Sequence, residues 1–227
     1  MRPKRSTAAW AAASASSSRV TSSFVTSKLS CGPPRVQQIE TNLFGPMNVT
    51  RAVLPIMRRQ RAGHIITLSS SAGIIGQEFC VAYAASKFGV AGWMESLRYD
   101  VEPYNIHTTV VKPGFLRTEL LVDASTTWPE PTIADYAERT TATVAAWKSM
   151  NGQQPGDPAK LARALLTIAG QKTPLLRFVA GADAIEAVKA KAQELLARPY
   201  TERCTLLEIR HSGRLLSWCA RGLPVPA

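Results

Sequence analysis

The segment Gly63-His-Ile-Ile-Thr-Leu-Ser-Ser-Ser-Ala-Gly73 decides the fold. Its first part, His64 to Ser69, is short, apolar and β-branched, which is the make-up of a buried strand. Upstream, Val36, Ile39, Leu43, Met47, Ala52, Leu54 and Met57 recur at helical spacing, so a helix is predicted from Val36 to about Gln60, ended by arginine-rich positions before Gly63. Downstream, Cys80 to about Glu102 reads as a second long helix and Ile106 to Val111 as a second strand, closed by Pro113-Gly114. Asp157 to Ala169 follows as a helix with Asp157 as N-cap and Pro158 in its first position. Leu175 to Ala180 is predicted as a third strand and Asp183 to Ala197 as a final amphipathic helix. Helices alternating with buried strands imply parallel βα units with right-handed crossovers, hence a layered α/β sheet.

Composition narrows the function. A chain of 227 residues that is 45% hydrophobic forms one domain with room for a sizeable core. No window of about 18 uninterrupted apolar residues occurs, which excludes a membrane span. The net charge of +11 suggests a polyanion partner until it is placed along the chain. Six basic residues and no acid precede Glu40, four arginines face only Glu208 after residue 202, and the stretch between is nearly neutral. Without interleaved aromatics or a reading helix, no specific nucleic-acid partner is expected. Cys31, Cys80, Cys204 and Cys219 form no CxxC, and His64, His107 and His211 stand at no metal-site spacing. Neither a metal site nor a disulfide scaffold is expected, which points to a reducing, cytoplasmic compartment. Residues 1–34 are rich in Ala, Ser, Thr and Arg with no apolar period, and are expected to be a basic, disordered leader without a packed element. The same acid-free composition is that of an organellar transit peptide, which keeps targeting as the alternative. Residues 35–202 are the folded portion, and 203–227 are a basic tail in which Leu206, Leu207, Leu215, Leu216 and Trp218 could form a short helix.

The chemistry centres on Tyr83-Ala-Ala-Ser-Lys87. A spacing of i, i+4 puts both side chains on one helix face. A free tyrosine titrates near pH 10, and a neighbouring ammonium favours its phenolate, so such a tyrosine can exchange a proton with a carbonyl or alcohol oxygen. The pair alone equally describes a partly buried tyrosine beside a solvated lysine. Ser70 stands thirteen residues before Tyr83, at the carboxyl end of the 64–69 strand, where ligands of parallel sheets bind. Ser69 and Ser71 are its alternatives if the register shifts. Asn42 lies on the preceding helix, and Pro46, four residues on, has no N–H to give the Asn42 carbonyl; a kinked helix is the simpler account of that proline. Thr118 follows Gly114 by four residues.

Together, Asn42, Ser70, Tyr83, Lys87 and Pro113-Gly114 resemble, in order and spacing, the Asn-Ser-Tyr-Lys tetrad and Pro-Gly segment of the short-chain dehydrogenase/reductase family. Glu40-Thr-Asn-Leu-Phe-Gly45, Gly63 to Gly73 and Val110-Val-Lys-Pro-Gly114 are similar to family segments as well, and the resemblance covers about Arg35 to Glu202. It implies a Rossmann-like three-layer parallel sheet with helices on both faces, and an oxidoreductase that interconverts a ketone or aldehyde and an alcohol by hydride transfer with NAD(P), without resolving NAD from NADP. Tyr83 would be the general acid/base, and Lys87 would hold the nicotinamide ribose while lowering the tyrosine pKa. Ser70 would hydrogen-bond the substrate oxygen, and the Asn42 carbonyl would hold a water that links the lysine to solvent. Pro113, Gly114 and Phe115 would bring backbone to the nicotinamide, with Thr118 on its carboxamide or on the pyrophosphate. Glu119 to Gly156, irregular in charge and carrying Leu120, Leu121, Trp128, Tyr136 and Trp147, would be a mobile lid over a lipophilic small-molecule carbonyl or alcohol substrate. The two long helices would pack against their copies in a homodimer.

The departure from the family lies upstream. Its glycine turn TGxxxGxG is absent, because no glycine precedes Gly32, and no Asn-Asn occurs anywhere in the chain. The fold therefore lacks the usual N-terminal βαβαβ half, with its phosphate cradle at a helix N-terminus. The expectation is an N-terminally incomplete or altered member that binds dinucleotide poorly as written. A catalytically inactive remnant or interaction protein is the alternative.

Overall fold

The computed structural model describes residues 10–13, 33–126, 128 and 133–197. The chain divides into two compact units, Met1–Val188 and Lys189–Ala227. The sheet and the cavity belong to the first. In the second, the described part is helical and carries a Lys191–Glu194 ion pair of 3.0 Å.

Four strands lie in the order β1 (Trp10–Ala13), β2 (Gly63–Leu68), β3 (Ile106–Pro113) and β4 (Arg177–Ala180), all parallel. Helix α1 (Pro33–Ile39) passes through a π-helical turn, Glu40–Phe44, into α2 (Gly45–Gln60). Helix α3 (Val81–Val101) carries the crossover from β2 to β3. Between β3 and β4 come α4 (Ala134–Ser149) and α5 (Pro158–Ala169), and α6 (Ala182–Ala197) follows β4. The layered α/β architecture with a parallel sheet is the one predicted.

One side of the sheet is closed by α2 and α3. Met57 of α2, Val90, Met94, Leu97 and Val101 of α3, and Ile65, Ile106 and Val110 of the strands form one cluster. Both helices therefore bury their apolar stripes on a common face, at about 1.5–3 kcal/mol for each large side chain removed from water. Two glycines let this happen: a Cβ on Gly63 would stand 2.7 Å from the Met57 sulfur, and one on Gly89 would stand 3.0 Å from Leu43. Strand β3 is buried on alternate residues of both faces, Thr108 with Val110 and Thr109 with Val111, as a central parallel strand requires.

Four expectations change. Residues 1–34 were expected to hold no packed element, yet Trp10–Ala13 pairs with His64–Thr67 of β2. An Ala-rich stretch carries no strand signal, and what places it is the row of backbone groups that β2 would otherwise leave unpaired. The helix predicted from Val36 to Gln60 starts at Pro33 and widens around Asn42, where the Gly45 N–H reaches the Glu40 carbonyl, five residues back. Pro46, unable to donate, sits at the junction, so a one-residue slip of the helical ladder takes the place of a simple kink. The region 119–156, to which the sequence reading assigned no element, contains the sixteen-residue helix α4. Strand β4 begins at Arg177 and not at Leu175, because Leu175 and Leu176 spend their carbonyls on the Thr109 hydroxyl and the Val110 N–H before the regular ladder starts. The basic tail 203–227 lies outside the described residues.

Candidate active site

The site grows from the carboxyl end of β2. The Ser69 N–H donates to the Val111 carbonyl at 2.7 Å, prolonging the ladder by one residue, and the chain then turns away. Ser70 is extended (φ −167°), and its Oγ caps the short 3₁₀ turn Ser71–Gly73 by accepting the Ala72 N–H at 3.1 Å. This turn is bolted to the middle of α3. The Ser69 hydroxyl donates to the Lys87 carbonyl at 2.9 Å, and Gly73 lies so close that a Cβ there would be 2.7 Å from the same oxygen. Of the three serines, Ser70 and Ser71 line the cavity, while Ser69 is consumed in holding α3.

Tyr83 and Lys87 stand one turn apart on α3, as their spacing predicts. The Tyr83 and Ser70 side chains line the same cavity, near enough for the Ser70 hydroxyl to favour the phenolate. The Lys87 ammonium lies 5.6 Å from the Tyr83 ring centroid and donates to the Leu68 carbonyl at 3.1 Å. Burial pushes Lys87 down to about 8 and pushes Tyr83 above its usual value of 10. For Tyr83 the Ser70 hydroxyl works against burial, and the nearby Cys80 thiol adds to it. The expected lowering of the tyrosine by Lys87 is therefore not what the geometry yields. Desolvation outweighs it, because both groups sit in the same dry corner.

Asn42 does not line the cavity. Its Nδ2 donates to the Ser86 hydroxyl at 3.1 Å, and that hydroxyl donates to the Tyr83 carbonyl at 2.7 Å. Asn42 thus grips the backbone of the Tyr83 turn through Ser86, a fully buried residue. Ser86 went unrecognised in the sequence, since a serine inside a helix carries no signal of its own.

Ser70 and Tyr83 share one wall of a cavity of about 180 Å³ with Pro113, Gly114, Phe115 and Thr118. No residue lining it carries a formal charge. Leu120, Leu121 and Trp147 complete the apolar lining, and the Trp147 ring meets Phe115 edge-on at 5.7 Å. Tyr136 and Trp128 are not among the lining residues; Tyr136 is exposed, and Trp128 donates to Asp123 at 2.6 Å. Thr118 uses its Oγ to accept the Leu120 N–H at 3.4 Å, capping the turn Glu119–Leu121. Cys80 also lines the cavity, its thiol pushed up to about 11 by burial.

The Pro113-Gly114-Phe115 segment is held by a residue the sequence did not disclose. Asp183, in the first turn of α6, accepts the Phe115 N–H at 2.7 Å, and its carboxylate occupies the space where a Gly114 side chain would be. Gly181 makes the approach possible with φ +110°, a conformation few other residues adopt.

For a nicotinamide dinucleotide the fit is partial. Lys87 has three donors, of which contacts among the described residues use one, so its ammonium suits a ribose diol. Gly114 and Phe115 line the cavity with Tyr83, but their N–H groups are already given to the Ala180 carbonyl and to Asp183. The connection from β1 to α1, residues 14–32, lies outside the described residues and contains one glycine, Gly32. Among the described residues, no group of His, Cys, Asp or Glu could hold a metal ion, and no helix is long and apolar enough to cross a membrane.

Residues 30–128 match the short chain dehydrogenase family. The chain is 36% identical over 161 residues to "Oxidoreductase BOA17" of Botryotinia fuckeliana, a match covering 70% of this chain and 57% of that protein. It is 33% identical over 161 residues to a 3-ketodihydrosphingosine reductase of Bacteroides thetaiotaomicron, covering 70% and 58%. Among solved structures, a short-chain dehydrogenase from Streptomyces avermitilis superimposes with a TM-score of 0.66 at 29% identity, over 79% of this chain and 63% of that one. The chain thus spans less than two thirds of the length of each relative.

Proposed function

We propose that this chain, which belongs to the short-chain dehydrogenase family, carries the catalytic wall of an oxidoreductase that interconverts a carbonyl and an alcohol with NAD or NADP. The observation behind it is a single arrangement: Ser70 and Tyr83 together on the lining of one cavity, with the Lys87 ammonium against the tyrosine ring. When bound, the nicotinamide supplies or accepts the hydride. The rest falls to this chain's side chains.

Ser70 accepts from the Ala72 N–H and so keeps its own proton to donate toward a substrate oxygen. Tyr83, held neutral at neutral pH by burial, has a proton to deliver to that same oxygen, which suits reduction of a carbonyl. Lys87 is charged below about pH 8; its free donors suit the ribose hydroxyls, and its charge compensates the phenolate left once the proton has moved. Asn42 and Ser86 act through the Tyr83 backbone as positioning residues. Asp183 fixes the Phe115 peptide, and with it the part of the cavity lining that would adjoin a bound nicotinamide. An uncharged lining with Leu120, Leu121 and Trp147 favours a lipophilic ketone or secondary alcohol. Val49 and Ile56 of α2 and Phe88 of α3, all exposed, are the surface a second copy would cover.

The test is the single-turnover reduction of 4-phenylbutan-2-one by NADPH. Tyr83→Phe should slow it by roughly a hundredfold to ten-thousandfold, with the fold retained. An undiminished rate overturns the assignment. A non-catalytic role is the competing account, favoured by the missing TGxxxGxG turn, and it requires that neither wild type nor variant turn over.

A further inference from the structure

Gln154 is an anomaly in this cavity. It is among the most deeply buried side chains, 2% exposed, and among the described residues neither its Oε1 nor its Nε2 has a hydrogen-bond partner. It nevertheless lines the same cavity as Ser70 and Tyr83. A buried amide with both ends unmet is costly, and native interiors rarely tolerate one without a purpose.

Its position is not accidental slack. The chain around it is pinned to the segment after β3: the Gly156 N–H donates to the Phe115 carbonyl at 3.0 Å, and the Arg117 N–H donates to the Gly156 carbonyl at 2.9 Å. A Cβ on Gly156 would stand 2.7 Å from the Phe115 oxygen, so the two strands of chain are as close as backbone allows. On the other side, the Gln153 N–H closes onto the Met150 carbonyl at 3.0 Å. Gln154 is thus presented to the cavity by a stiff frame attached to the same Phe115 that borders Tyr83.

We infer that Gln154 is a specificity residue that receives an uncharged, hydrogen-bonding group, a hydroxyl or carboxamide, on an otherwise apolar carbonyl substrate. The chemistry of the amide argues for this. It offers one acceptor and donors side by side, which an alcohol or amide can meet. A carboxylate, an acceptor only, would leave Oε1 unmet and would find no cation among the lining residues. A purely aliphatic end would leave both atoms unmet. Such a buried polar group discriminates strongly, because the wrong ligand must bury it unpaired.

This inference rests on the cavity of the proposed function but not on turnover, so the test is one of binding. Three ketones differing at one position are titrated by ligand-observed NMR, with and without NADP⁺: 4-(4-hydroxyphenyl)butan-2-one, 4-phenylbutan-2-one and 4-(3-oxobutyl)benzoate. Wild type should bind the phenol about tenfold more tightly than the phenyl compound, with the benzoate weakest, and in Gln154→Leu the first two should converge. Gln154→Leu should also melt at a higher temperature than wild type without ligand, since it removes the unpaired amide; a merely structural glutamine would lower it. Equal affinities in wild type, binding of none of the three, or an unchanged preference in Gln154→Leu overturns the inference. Discrimination without turnover would fell the oxidoreductase reading alone, and turnover without discrimination would fell only the role of Gln154.

Discussion

Lys87 and Tyr83 show how burial sets the direction of a proton. The tyrosine is raised and the lysine lowered to about 8, so at neutral pH the pair is a neutral phenol beside an ammonium. Carbonyl reduction should therefore hold steady below about pH 8 and decline as Lys87 loses its charge above it. A profile still rising through that range would contradict the assignment of Lys87. Stability responds in the opposite sense. The unfolded chain holds this proton up to 10.5 and the folded chain only to about 8, so the unfolded state binds more protons between the two and stability rises with pH across that window. Urea midpoints at its two ends should differ less in Lys87→Met than in wild type. Cys80 offers a separate check. A thiol raised from 9.0 to about 11 carries about a hundredfold less thiolate near neutrality. Peptide-resolved alkylation by iodoacetamide should leave it unmodified while free cysteine reacts, and equal rates would show the residue is not buried as described.

The element that organises the site is the junction of β2 with α3, held by the Ser69 hydroxyl on the Lys87 carbonyl and by the glycine that lets them meet. Gly73→Ala would drive a Cβ against backbone, which cannot step aside, and should destabilise the fold by about 1–3 kcal/mol. Gly89→Ala meets only the end of the Leu43 side chain, 3.0 Å away, and should lose less than half as much. Urea unfolding of both decides: a Gly73→Ala protein as stable as Gly89→Ala removes the argument. The π turn at Asn42 belongs to this scale too. Pro46 was visible in the sequence as a missing donor, but that the ladder slips by one residue at Glu40–Phe44 was not.

For the whole molecule the open balance is between an assembled catalytic corner and the dinucleotide it would serve. The Lys87 ammonium can hold a nicotinamide ribose, whereas the chain has no TGxxxGxG turn for the pyrophosphate. Losing about 4 kcal/mol of binding weakens an affinity roughly a thousandfold. NADPH and NADH should therefore bind this 227-residue chain weakly by calorimetry, and low-micromolar dissociation constants would reveal a phosphate site elsewhere in it.

By itself, the sequence determined the alternation of helices and parallel strands, the family, and the spacing that brings Ser70, Tyr83 and Lys87 to one end of the sheet. Each of these is written in local periodicity or fixed offsets along one or two elements. The tertiary structure alone decided the rest. Trp10–Ala13 becomes a strand because β2 has an edge to fill. Asn42 serves through Ser86 because a helix from another part of the chain lies against it. Asp183 reaches Phe115, and Gln154 is buried with both amide atoms unmet, because of neighbours distant in sequence. The tyrosine pKa rose where residue types alone implied a fall. Desolvation is a property of everything that surrounds a group, and no spacing along the chain records it.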